Sequence, residues 1–140
     1  MPRILPFAAA LCILTACTPR NLPDGWYTTS GEGPDAPIGT PNVTCSDFAA
    51  LRLDSLPSGE DRFVYQITGS VKPEKRKRWR TATRKAVGHH IVFLYEGEVL
   101  AAPCINMPID GGTFAISAPE ISGNADRMRE IFQRLEAQMR

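Results

Sequence analysis

The sequence predicts an α+β fold: a two-layer sandwich in which a small antiparallel or mixed sheet carries both helices on one face, in the order strand, helix, three strands, helix. Three observations point there. Phe63, Tyr65 and Ile67 alternate with Val64, Gln66 and Thr68, the period of two expected of a strand with one covered face. Two segments, around Trp79 and around Ile131, repeat apolar residues at three and four positions, the period of a helix with one buried stripe. Short apolar runs punctuated by Gly-containing turns lie between them, and hairpin strands with helices gathered to one side give this class.

The first strand is broken by Gly69-Ser70. Pro73 then opens a helical segment through Trp79, Ala82, Thr83 and Ala86, and Gly88 closes it; proline at the start and glycine at the end are the favoured way round. Ile91 to Tyr95 is a continuous apolar run, Glu96-Gly97 a turn, and Val99 to Ile105 a second strand that Pro103 assigns to an edge or a bulge. Asp110-Gly111-Gly112 makes the next turn and Phe114 to Ala118 the next strand. Ala125, Met128, Ile131, Phe132, Leu135 and Met139 mark the closing helix, with Ser122 or Asn124 as its cap.

Upstream of this body, residues 17 to 44 read differently. Pro19, Pro23, Pro34, Pro37 and Pro41 fall among Gly25, Gly31, Gly33 and Gly39 with no apolar period, so the segment is expected to be an extended tether, leaving residues 45 to 140 as the domain. Trp26-Tyr27 would pack on the domain or lie at lipid headgroups.

The chain opens with Arg3, an apolar run from Ile4 to Leu14, and Leu14-Thr15-Ala16-Cys17. The run is too short to span a bilayer, which takes about 20 residues. It resembles a bacterial lipoprotein signal, which implies removal of residues 1 to 16 and lipidation of Cys17; Cys12 follows Leu11 and lacks the required leucine and small residues. Acylation at about 0.8 kcal/mol per buried methylene, over several chains, would hold the protein to a membrane outside the cytoplasm. Thr18, where an aspartate favours inner-membrane retention, points to the outer membrane and its periplasmic face.

Cleavage leaves 15 basic against 15 acidic side chains, so the mature chain is neutral and not built as a polyanion binder. Charge is nevertheless uneven. Lys72, Lys75, Arg76, Lys77, Arg78, Arg80, Arg84 and Lys85 share a segment with Glu74 as its one acid. Lys75, Arg76, Arg80 and Arg84 represent this basic patch, which is a solvated face or a contact for anionic lipid, glycan or an acidic partner. An exported protein does not meet nucleic acid.

Cys45 and Cys104 remain once Cys12 and Cys17 are accounted for, and in an oxidising envelope they are expected to form one disulfide. Closing so long a loop would add about 4 kcal/mol on chain-entropy grounds. Two free thiols, or a bond to another protein, are the alternatives.

Chemistry is sparse. His89 and His90 are adjacent at a strand start and point to opposite faces, so they cannot share one metal, and no ligand set surrounds them. Neither a nucleophile elbow, a zinc-protease helix nor a phosphate loop occurs; Gly31-Glu32-Gly33 lacks the flanking strand and helix. The expectation is a binding protein with no cofactor, no metal and no small-molecule substrate, and not an enzyme.

The segment from Trp79 to Ala118 resembles the head subdomain of the first periplasmic domain of SecD, in the SecDF preprotein translocase. The shared positions are Trp79, Thr83, Gly88, the strand Ile91 to Tyr95, Glu96-Gly97, Val99, Ala102, Pro103, Ile105, Ile109 and Gly112, without a gap. Departures are Glu96 for the usual Asp, Ala118 for Gly, and Cys104 for an apolar residue. The resemblance implies the head fold and a module that meets exported polypeptide or an envelope protein; the membrane helices that use the proton gradient are missing. Such a partner would be held by adding a strand at Val99, Ala102, Pro103 and Ile105. A structural envelope lipoprotein whose basic helix binds anionic lipid or glycan is the alternative.

Overall fold

A computed structural model describes residues 22–29 and 37–140. The signal segment and Cys17 lie outside the described residues.

The strands are β1 (Gly25–Thr29), β2 (Pro37–Thr44), β3 (Phe48–Pro57), β4 (Phe63–Val71), β5 (Ile91–Tyr95), β6 (Glu98–Ala101) and β7 (Thr113–Ile116); the helices are α1 (Arg76–Lys85) and α2 (Ala125–Ala137). One sheet runs β2-β1-β5-β6 and the other β3-β4-β7, with every neighbouring pair antiparallel. The α+β class is as expected. The division into two sheets is not, and it separates the helices: α1 lies against β2, and α2 against β3 and β4.

The two sheets and both helices meet in one core. Trp26 stands 5.1 Å from Phe93 within the first sheet, and 5.8 Å from Phe114 of the second. Phe48 approaches Phe114 at 4.5 Å, and Trp79 of α1 lies tilted at 5.5 Å from Trp26. Met128, Ile131 and Leu135 bring the α2 stripe into the same cluster. Trp79 Nε1 donates to the Thr113 carbonyl at 2.9 Å, which ties α1 to β7 and satisfies a buried donor. Buried Thr83 accepts the Ile109 N–H at 2.9 Å and donates to the Arg80 carbonyl at 3.1 Å. Asn124 is the α2 cap, accepting the Arg127 N–H at 3.0 Å; Ser122 is not.

The tether expectation is corrected by β1 and β2. Trp26 and Tyr27 are buried, and β1 pairs with β5 from Gly25↔Leu94 to Thr28↔Ile91. Trp-Tyr-Thr-Thr is a run of strand-favouring side chains, and burial of two large aromatics outweighs the ordering cost that Pro and Gly imply around them. β1 occupies an interior position of its sheet, so the folded body includes β1 and β2, upstream of residue 45.

β5 is buried at every position because both its faces are covered. Ile91, Phe93 and Tyr95 face the common core, while Val92 and Leu94 join Tyr27 on the opposite face, packed by Leu22 and Ala102. That double cover is why its sequence is a continuous apolar run and does not alternate.

Candidate functional site

Surface chemistry concentrates at the β6 edge and at α1. The turn joining β5 to β6 has φ of 49° at Glu96 and 81° at Gly97, the two positive torsions of a tight hairpin. Glu96 forms an ion pair with Arg134 of α2, and its N–H donates to Asp24 Oδ1 at 2.8 Å, so helix and chain start both brace the hairpin.

β6 is the last strand of its sheet, and its outer backbone edge has no strand neighbour among the described residues. Alongside it runs a groove of about 500 Å³ whose walls include Val99, Leu100, Ala118, Pro119, Ile121 and Arg127. Tyr95 lies at its base, 4% exposed. The Tyr95 hydroxyl is buried, with Arg134 as a loosely placed hydrogen-bond donor to it and the charge of Arg127 nearby. Burial first, and the Glu96 charge second, push the phenol pKa up, so the hydroxyl stays protonated as a donor. An extended chain laid on β6 would find open backbone groups, an apolar wall and this donor.

The four residues expected to contact a partner separate here. Val99 is exposed on the groove, and Ala102 lines it half-buried, beneath the Tyr27 cluster. Pro103 is half-buried, and its carbonyl accepts the Ile91 N–H at 3.2 Å. Ile105 is corrected outright: it is buried in the core, its N–H bonded to the His89 carbonyl at 2.9 Å and its own carbonyl accepting from Gly88 at 2.7 Å. Beyond Ala101 the chain is taken up by bridges to residues 87 and 90, so the free edge ends where β6 ends. The opposite wall, residues 118–121 and Arg127, was not legible; it arrives from the far side of β7 and carries no local motif.

On α1, Trp79 and Thr83 are buried while Lys77, Arg78, Arg84 and Lys85 are exposed on the opposite side, without an ion pair among the described residues. Lys75 pairs with Asp47 at 3.8 Å, and Arg80 is half-covered. Arg76 and Arg80, one turn apart, hold the flank beside Thr83, so of the four residues first chosen for the patch only Arg84 stands on its outward centre.

The disulfide expectation is corrected: both cysteines are free. Cys45 is buried in the core with its thiol directed to the Asp24 carbonyl at 3.7 Å, while Cys104 is exposed opposite His90. Burial, with Asp24 and Asp47 adding to it, pushes the Cys45 thiol up to about 12. Maleimide treatment of the native full chain at mildly alkaline pH, mapped by peptide mass, is expected to label Cys104 and spare Cys45 until the protein unfolds. Equal labelling would contradict this placement. Because the folded value is raised, the contribution of this thiol is complete below its unfolded pKa and is lost as pH climbs toward 12.

His90 Nδ1 donates to the Ala102 carbonyl at 2.8 Å, which fixes that ring in the strand junction. Among the described residues no three His, Cys, Asp or Glu side chains are grouped to hold a metal, and no helix is long and apolar enough to cross a membrane.

Residues 57–132 match the family described as SecDF, P1 head subdomain. Among solved structures the chain is similar to a crystal structure of SecDF in its super-membrane-facing form, at 26% identity and a TM-score of 0.57, covering 71% of this chain and 12% of that one. It is also similar to SecDF described as a membrane component that enhances protein export, at 26% identity and a TM-score of 0.58, covering 71% of this chain and 42% of that one. The chain thus spans less than half the length of these two structures. No curated protein sequence matches it.

Proposed function

Because the chain belongs to the SecDF P1 head subdomain family, we propose that it serves protein translocation as a binding module, anchored through lipid on Cys17 to the periplasmic face of the outer membrane. It holds exported polypeptide, or an envelope protein partner, in extended form along β6, and it is not an enzyme. The observation that carries this reading is the β6 edge, unpaired among the described residues, with its adjoining groove. A SecDF that enhances protein export shares this fold over most of the chain, which supports an export role.

Edge addition supplies main-chain hydrogen bonds without regard to side chain, while Val99 and the groove behind it give preference for apolar residues at alternate positions. A photoreactive side chain at Val99 of the full protein in membranes, challenged with a stalled exported polypeptide, is expected to crosslink to it. The same probe at Glu60, on the turn between β3 and β4 and outside the groove lining, is expected to stay silent. Equal yields at the two positions would overturn the edge reading. Cys17→Ala is expected to move the protein from the membrane to the soluble fraction, and retention would overturn the lipid anchor.

The four outward cations of α1, Lys77, Arg78, Arg84 and Lys85, favour a second reading, a structural envelope lipoprotein whose basic helix binds anionic lipid or glycan. That reading predicts sedimentation of the protein with acidic vesicles and its loss when Lys77, Arg78, Arg84 and Lys85 are reversed to Glu.

A further inference from the structure

We propose that the groove between α1 and β2 receives an acidic stretch of polypeptide, on the side of the domain turned away from the anchoring membrane. The proposal rests on the anchored-module reading and adds a second contact of defined charge. The groove encloses about 580 Å³, and its helix wall carries Lys77, Arg78 and Lys85 with Thr81 between them. Its strand wall carries Thr28 and Asn42, where Asn42 Nδ2 donates to Thr28 Oγ1 at 3.2 Å. Among the described residues, Glu74 is the one carboxylate in the lining.

Spacing suits an extended chain. Residues 78 and 85 are two turns apart, roughly 10 Å along the helix axis, and fall on nearly the same side. An extended strand presents side chains of one face about every 6.6 Å, so two carboxylates fit this length beside the cations, with hydroxyl and amide groups opposite them.

The sheet decides between a polypeptide and the membrane. Trp79 places α1 on the Trp26 face of β1, whereas Leu22 packs on Tyr27, Val92 and Leu94 of the other face. Four residues separate Cys17 from Leu22, five Cα steps with a reach of at most about 18 Å. The outward cations of α1 therefore stand a sheet and a helix diameter of about 10–12 Å beyond the anchored face. With the Leu22 face held toward the bilayer, as the proposal has it, a membrane surface potential that decays over about 8 Å at physiological ionic strength does not reach them. Their counter-charge comes from the aqueous side.

The test uses the full chain in detergent and a fluorescent peptide alternating Glu and Ser, with its Gln counterpart as control, followed by anisotropy. The acidic peptide is expected to bind, the Gln peptide to bind at least about tenfold more weakly, and Lys77→Glu/Arg78→Glu/Lys85→Glu to lose about tenfold in affinity. Should that variant fail to fold, the milder Lys77→Gln/Lys85→Gln is expected to show a smaller loss in the same direction. Equal binding of both peptides, or an unchanged affinity in a folded variant, overturns the proposal. So does competition by phosphatidylglycerol in the bilayer carrying the anchored chain, since the helix would then face its own membrane. Leu100→Pro, which breaks the β6 edge, is expected to leave acidic-peptide binding intact, so failure of the edge reading is told apart from failure of this one.

Discussion

Trp26→Ala is expected to lower the unfolding free energy by about 3–5 kcal/mol, read as a shifted urea midpoint at unchanged slope. The indole is 1% exposed and touches rings from three other elements, Trp79 of α1, Phe93 of β5 and Phe114 of β7. Its removal leaves a void that two sheets and a helix would have to close together, and a cavity with such rigid walls collapses little. Trp26→Phe should be far milder. The indole Nε1 is buried without a partner, so the wild type already bears a desolvation cost, of about 1–3 kcal/mol for a buried unsatisfied group, that phenylalanine removes. If Trp26→Ala shifted the midpoint no more than a surface substitution does, residues 25–29 would return to the status of a tether.

Gly69→Val is expected to cost about 3 kcal/mol, the upper end for overpacking, measured in the same way. A Cβ at this point of β4 would stand 2.5 Å from Phe114 Cζ, 2.7 Å from the Ala50 carbonyl oxygen and 2.8 Å from Leu51 Cδ2. The phenyl ring is held by Phe48 at 4.5 Å and the carbonyl belongs to the β3 backbone, so neither moves without disturbing its sheet. The contact is a close approach across strands and not a torsional demand. A neutral Gly69→Val would mean that β3 and β4 are not packed this tightly.

Much of the second half of the chain was legible in the residues. Although the strand expected from Val99 to Ile105 stops at Ala101, short of Pro103, the β5 run has the bounds Ile91–Tyr95 expected of it, and the Glu96-Gly97 turn and the α2 stripe lie where their patterns put them. These succeed because each rests on a local period or a torsion only certain residues adopt. β1 and β2 were hidden because prolines and glycines signal disorder locally, whereas what orders them is tertiary: a tryptophan and a tyrosine meeting partners from distant strands. β3 was hidden because Leu51 and Leu53 give too short an alternation, and a register shift between Phe48 and Ala50 breaks it. The candidate site was legible in half: Val99 and the cations of α1 could be read, but the wall at residues 118–121 depends on where β7 delivers the chain. The disulfide failed for the same reason, since two thiols in one oxidising compartment say nothing about whether their side chains meet.

The position of β1 also bears on the order of events at birth. Its partner β5 pairs Trp26 with Phe93, 67 positions later, so β1 waits for two thirds of the chain before its sheet can close. Such high contact order places maturation in the slow range of milliseconds to seconds, during which an uncovered aromatic pair invites aggregation. A chain of this design shelters its own aromatics late, and they stay open to other molecules until the fifth strand arrives.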